Sequence, residues 1–248
     1  MSPRISFSAD SRTVARELGG MFEAVLPMLL PAIAMHLNKA FGTSLEGCSA
    51  IPQELVRESN QLRAMLFETA VAAAEMMRWH DGHFSFGDCV SLAKQRQKKY
   101  YDAKLTKTLS KADKEIISWV ADNLNSMFDH VESVHGKAIV SEPVVPGFGW
   151  IANSVGDYAC GTTLVEVKCS GKRFSSADYR QVTIYWLLSY IQSLEKQEVA
   201  WDRIILLNPR INFMVDLKSE ELLGLISGGR SRMEVVQAFS AFFSSDVV

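Results

Sequence analysis

Thr162-Thr163-Leu164-Val165-Glu166-Val167-Lys168-Cys169 is a short apolar run, rich in β-branched residues, that carries one acid and one base. Side chains alternate along a strand, so Leu164, Glu166 and Lys168 share one face while Val165 and Val167 share the other. A strand apolar on both faces belongs inside a sheet covered on both sides. An acid and a base projecting together from it therefore call for an explanation.

The surrounding chain supports that placement. Ala138 to Val145 and Trp150 to Cys160 precede the run as β-like segments punctuated by Pro and Gly, which predicts a meander of three strands. Ser176 to Leu194 returns to helical spacing. A buried strand follows at Ile204 to Leu207, and an alternating one at Ile211, Phe213, Val215 and Leu217, joined by Asn208-Pro209-Arg210. Ser219 with Glu220 and Glu221, and Ser231 with Glu234, open two terminal helices. Asp178 and Arg180 are read as cap and flank of their helix.

Upstream, the texture is helical. Leu62, Met65, Leu66, Thr69, Ala73 and Met76 form one apolar stripe that ends near Trp79, before Asp81 and Gly82. Ser110 and Asp113 make a capping box for a second helix, which turns Ile116, Ile117, Val120, Leu124, Met127, Phe128 and Val131 inward and stops at Gly136. The order is helices, then β-β-β-α-β-β, then helices. That order implies an α/β fold with a mixed sheet flanked by helices and a long N-terminal helical elaboration. With no repeat and no linker poor in apolar residues, residues 1–248 read as one domain: elaboration 1–110, core 111–217 and C-terminal helices 218–248.

Composition narrows the function classes. The chain has 248 residues, 48% hydrophobic and 22% charged, as ordinary globular proteins have. With 26 Lys and Arg against 28 Asp and Glu, no overall positive field marks a nucleic-acid partner, so any such contact must be local. Cys48, Cys89, Cys160 and Cys169 form no C-x-x-C pair; free thiols and a reducing, cytoplasmic setting are expected. No stretch is apolar enough to span a membrane. Ala24 to Leu37 comes nearest, broken by Pro27 and Pro31, and reads as a buried, kinked helix. Ala32-Ile33-Ala34 imitates a signal-peptidase site, but Asp10, Glu17 and Glu23 ahead of it match a basic leader poorly.

The turn Cys160-Gly161-Thr162 lets antiparallel pairing bring Asp157 beside Glu166. Two convergent carboxylates are costly to ionise unless a cation lies between them. Mg²⁺ or Mn²⁺ fits oxygen ligands and substrate phosphate, and Lys168 can orient a water or offset charge on phosphorus oxygens. The reaction class so implied is phosphodiester hydrolysis.

Gly156-Asp157, then Glu166-Val167-Lys168, then a helix carrying Gln181-Val182-Thr183-Ile184-Tyr185 resembles the PD-(D/E)XK nuclease superfamily, in its RecB and phage lambda exonuclease branch. The resemblance covers residues from about 111 to 217 and implies a restriction-endonuclease-like fold and a metal-dependent deoxyribonuclease acting on DNA. It implies Asp157, Glu166 and the Val167 carbonyl as metal ligands, and Lys168 as the catalytic lysine. Gln181 and Tyr185, one helical turn apart, would line the site and contact nucleic acid. An upstream acid often completes such sites: Glu68 is preferred, with Glu132 the competitor. Gly156 stands where the family name has Pro, a departure the RecB branch tolerates. No cysteine follows Cys169, so the iron–sulfur cluster of some relatives is not expected.

Each feature also has a plainer reading. A Glu-x-Lys triplet occurs by chance roughly once in a chain of this composition, and structural ion pairs mimic sites. Glu142 faces either the site or water. His80 and His83 lack a third strong ligand, and Cys160 and Cys169 are ordinary buried thiols on neighbouring strands. Lys94 to Lys114 carries eight basic residues against Asp102 and Asp113, with Tyr100 and Tyr101 interleaved. Lys98 and Lys99 there, with Lys172 and Arg173 past the strand, are the candidate nucleic-acid contacts. A solvated helical face is the alternative. A homo-oligomer or larger assembly is also compatible. A reading from another class keeps the fold but not the cutting: a catalytically silent protein that binds nucleic acid or a partner within a defence or recombination complex.

Overall fold

A computed structural model describes residues 9–17, 19–80, 84–97, 108–197 and 199–243. The elements run β1 (Ala9–Asp10), α1 (Ser11–Glu17), α2 (Gly19–Val25), α3 (Pro31–Ala40), β2 (Gly42–Thr43), α4 (Gln53–Glu58), α5 (Arg63–Trp79), α6 (Phe86–Gln97) and α7 (Lys111–His135). Then come β3 (Ile139–Ser141), β4 (Val144–Val145), β5 (Ile151–Ala152), β6 (Ser154–Val155), β7 (Tyr158–Cys160), β8 (Thr163–Val167), α8 (Ser176–Lys196), β9 (Arg203–Asn208), β10 (Phe213–Lys218), α9 (Ser219–Ile226) and α10 (Arg232–Phe243). Among the described residues no helix is long and apolar enough to cross a membrane.

Six strands form a mixed sheet in the order β2-β10-β9-β8-β7-β3. β8 pairs parallel with β9 and antiparallel with β7, while the other neighbours in the sheet are antiparallel. The parallel step needs a crossover, which α8 supplies. Alternation divides the apolar residues between two cores. Leu164, Ile204, Leu206, Val215 and Leu217 pack with α8 and with helices from both ends of the chain. Val165, Ile205, Leu207 and Met214 pack under α5 and α7. Ile204 to Leu207 are buried completely, each contributing about 1.5–3 kcal/mol of apolar burial. The mixed α/β architecture expected from the sequence, a sheet flanked by helices, is therefore present.

The caps follow local chemistry. Ser110 accepts from the Asp113 amide and Asp113 answers to the Ser110 amide; Gly136 closes α7 in the left-handed conformation, φ 65°. Ser175 and Asp178 repeat the box at α8.

Three expectations need correction. The segment Ala24 to Leu37 is not one kinked helix: α2 ends at Val25, and Pro31 starts α3 at a position where its missing N–H costs nothing. The three-strand meander survives only as β3, β7 and β8. Pro143 and Pro146, which cannot donate to a ladder, cut the rest into β4, β5 and β6. β4 and β6 pair in a separate ribbon, and β5 pairs with β1. The N-terminal region is not purely helical either, because β2 adds an edge to the main sheet and β1 tethers α1 beside it.

Candidate functional site

β7 and β8 are in the register Tyr158 opposite Val165, which leaves Asp157 and Glu166 as the next pair at the open end. Both carboxylates reach the same nitrogen. Arg12 Nη2 lies 3.0 Å from Asp157 Oδ1 and 3.5 Å from Glu166 Oε1. The second Asp157 oxygen, Oδ2, accepts from the Val167 amide at 3.0 Å, which anchors the side chain across the strand pair.

Glu166 projects on the α8 side of the sheet and is 0% exposed. Its Oε1 accepts from Lys168 Nζ at 2.8 Å and from Gln181 Nε2 at 2.6 Å. Gln181 Oε1 in turn accepts from Lys168 at 2.9 Å, and its amide nitrogen lies 2.9 Å from Tyr185 Oη. Gln181 and Tyr185 stand four residues apart on α8, so one helix face presents both to the strand. Thus Asp157, Glu166, Lys168, Gln181 and Tyr185 are in one connected cluster.

The electrostatics follow from burial and crowding. Burial, reinforced by the Asp157 charge, pushes the Glu166 carboxyl up to about 7. Burial opposes the Lys168 ammonium, but Glu166 and Asp157 outweigh it and hold its pKa above the ordinary lysine value. Burial and then Glu166 raise Tyr185, which stays a neutral phenol. Among the described residues Glu166 Oε2 is buried with no hydrogen-bond partner. An orphaned carboxylate oxygen beside a second acid is what an oxygen-seeking cation satisfies, so the donor set fits Mg²⁺ or Mn²⁺.

These residues close one end of a cleft of about 1030 Å³ where the two helical layers part beyond the ends of β8 and β9. Asp157, Val167, Lys168 and Tyr185 line it with Arg12, while a stripe of α5 (Arg63, Phe67, Glu68, Val71 and Glu75) forms the facing wall. Glu68 therefore looks into the cleft, but it pairs with Arg96 at 3.6 Å. Among the described residues no group of three or more His, Cys, Asp or Glu is gathered for a metal. Glu132 lies elsewhere, bonded to Arg78 at 2.6 Å and to the Ile139 amide at 2.7 Å. Exposed Glu142 also lines the cleft.

The basic candidates separate. Lys172 and Arg173 are exposed on the loop after β8 but do not line the cleft, and Arg173 lies over the Phe213 ring, 4.7 Å from its centroid. Asn208 holds that loop by donating to the carbonyls of Ser170 and Lys172 at 3.0 Å each. Lys98 and Lys99, with Tyr100, Tyr101, Lys104 and Lys107, lie outside the described residues, as does His83. Lys94, Lys111 and Lys114 are exposed, as is His80, and all four cysteines are free.

Sequence reasoning missed the arginines. Nothing local in Asp10-Ser11-Arg12-Thr13 announces a site residue; Asp10 merely caps α1 through Thr13. Arg12 arrives because β1 pairs with β5, and Ser11 meets Ser154 at 2.6 Å. Arg210 had a usable signal, since Asn208-Pro209-Arg210 follows a strand that runs parallel to β8.

No protein-family model, curated protein or solved structure matches this chain.

Proposed function

We propose that this chain is a divalent-metal-dependent nuclease, with a restriction-endonuclease-like core, that hydrolyses phosphodiester bonds in DNA. The observation that carries the reading is the convergence of Asp157 and Glu166 on one point, with the Lys168 ammonium bonded to Glu166 and a buried Glu166 oxygen left unpaired. Of the buried unpartnered side-chain atoms among the described residues, it is the carboxylate oxygen, the one whose chemistry suits a hard cation.

Asp157, Glu166 and the Val167 carbonyl would hold Mg²⁺ or Mn²⁺. When bound, such an ion polarises a phosphoryl oxygen and lowers the pKa of an attached water. The chain's own groups do the positioning. Gln181 fixes both Glu166 and Lys168, so the ammonium is presented in one orientation rather than swinging free. Held charged by its acidic neighbours, Lys168 stabilises negative charge growing on the phosphoryl oxygens. Tyr185 and Gln181 close the α8 side of the site, and Arg12 supplies a further positive charge at the cleft end.

The test is incubation of purified protein with linear, circular, single-stranded and duplex DNA, with and without Mg²⁺. Asp157→Ala and Lys168→Ala are expected to abolish metal-dependent cleavage while the protein stays folded. Cleavage retained in either variant overturns the assignment.

One observation favours the second reading, a silent fold that binds nucleic acid or a partner. Arg12 and Lys168 already offset the two carboxylate charges, as a purely structural network would. Calorimetric titration with Mg²⁺ separates the two: absent binding, or binding indifferent to Asp157→Asn, selects the silent fold.

A further inference from the structure

The cleft is electrically uneven. Arg12 pairs with Asp157 and Glu166, Lys168 with Glu166, and Arg96 meets Glu75 at 2.5 Å and Glu68 at 3.6 Å. Arg63 and Arg210 differ. Among the described residues neither makes an ion pair with a carboxylate, yet both line the same cleft. Burial, and then the nearby Arg63 charge, weaken the hold of Arg210 on its proton, as expected for two cations with no anion between them.

The fold builds this pair deliberately close to the acidic site. Val167 pairs with Leu207, and the Lys168 amide donates to the Leu207 carbonyl at 2.8 Å, so Arg210 follows three residues after the strand position opposite Val167. The Ile51 amide pins its backbone by donating to the Arg210 carbonyl at 2.9 Å. Its guanidinium lies over the Phe67 ring, 4.8 Å from the centroid, and Phe67 stands one helical turn from Arg63. On the other side it rests against Gly171, where an added Cβ would come within 3.2 Å of Nη2. A guanidinium seated on a ring, anchored through its backbone and lining a cleft is suited to an oxyanion.

We propose that Arg63 and Arg210 bind a backbone phosphate of the DNA strand held in the cleft, a phosphate other than the one cut at Asp157 and Glu166. This rests on the nuclease reading and adds to it the anchor that fixes where along the strand the scissile group falls. A planar guanidinium takes both non-bridging oxygens of a phosphodiester at once, and the second arginine adds donors and positive potential along the same stretch of backbone.

Binding is measured without cleavage, by fluorescence anisotropy of a labelled DNA oligonucleotide in chelator, as a single strand and as a duplex. Arg63→Ala and Arg210→Ala are each expected to weaken binding about three- to tenfold and to reduce the slope of log affinity against log salt by about one. Arg210→Lys keeps the charge and loses less. Gly171→Ala leaves every charge in place but crowds the guanidinium, and is expected to weaken binding to the same extent as Arg210→Lys. Arg57→Ala, exposed on α4 and away from the cleft, serves as the charge control and leaves affinity unchanged.

Wild-type affinity and salt slope in the double variant Arg63→Ala/Arg210→Ala overturn the proposal, whether or not Mg²⁺-dependent cleavage is seen. Binding that needs both arginines in a protein that never cuts DNA overturns the nuclease reading and leaves the anion site standing. No binding of either DNA form by the wild-type protein overturns both.

Discussion

Two buried glutamates, Glu75 on the wall of the cleft and Glu166 behind its lining, live in different circumstances. Glu75, on α5, has both oxygens occupied: Tyr158 donates to Oε1 at 2.5 Å and Arg96 to Oε2 at 2.5 Å. Burial, with Glu75 beside it, holds the Tyr158 hydroxyl well above the usual phenol range, so it remains a donor. Glu166, on β8, is lopsided. Lys168, Gln181 and Arg12 crowd Oε1 while Oε2 has nothing. The complete network is explained by folding alone. The incomplete one leaves an oxygen unmatched among the described residues, which is the atom the proposed metal would satisfy.

The sharpest way to break this comparison is to swap the losses. Glu166→Gln is expected to cost at least about 10³-fold in Mg²⁺-dependent cleavage, since a neutral amide cannot hold the ion. Glu75→Gln should cost no more than about tenfold in the same assay. Equal losses in the two variants would erase the distinction.

Stability should run the other way. Glu75→Ala strands the Tyr158 hydroxyl and the Arg96 guanidinium, and is expected to destabilise the fold by about 2–4 kcal/mol in denaturant titrations. Glu166→Gln, measured in chelator at pH 8, is expected to leave stability unchanged or raise it. A loss as large as that of Glu75→Ala would mark Glu166 as structural.

The pH profile sharpens the same contrast. The Glu166 carboxyl is raised to about 7 in the fold, so the native state holds its proton more tightly than the unfolded chain does. That contribution is complete below the ordinary carboxylate range and disappears as pH rises through about 7. Metal-free stability should therefore fall between about pH 5 and pH 8 by about 1–3 kcal/mol, and Glu166→Gln should flatten that fall. Mg²⁺ affinity should move oppositely, strengthening as the carboxyl ionises. A metal-free stability profile identical in wild type and Glu166→Gln counts against the lopsided site.

The smallest effect concerns Arg12. Its guanidinium touches both acids, and a divalent ion between them must share the space or displace it. Arg12→Ala is expected to tighten Mg²⁺ binding about three- to tenfold by calorimetry, because one competing charge is gone. Weaker binding in that variant would show that the arginine supports the site instead of competing for it.

The sequence reading reached the parts of this site that local rules control. Alternation placed Glu166 and Lys168 together, a short turn brought Asp157 across, and helical spacing put Gln181 and Tyr185 on one face. The capping box at Ser110 was legible for the same reason, being settled within four residues; at α8 Asp178 was read as a cap, but Ser175 as the N-cap was not. What local rules do not control stayed hidden. Pro143 and Pro146 were visible as breakers, but not that the fragments would pair elsewhere. Arg12, Arg63 and Arg210 come from three separate elements and meet the cleft only through tertiary packing. Glu68 shows the limit from the other side: it does look into the cleft, and its partnership with Arg96 could not be foreseen from the spacing on α5.

The pairing of β1 with β5 has a consequence for the order in which the molecule is completed. Ribosomes deliver chains from the amino terminus, yet α1 is secured by Ser154, Asp157 and Tyr185, all more than 140 residues downstream. The segment bearing Arg12 thus emerges before the residues that hold it and can dock only after they have followed. Until Tyr185 has been made, a nascent chain has its paired acids without the guanidinium that bridges them, which joins only after the strands and α8 are in place.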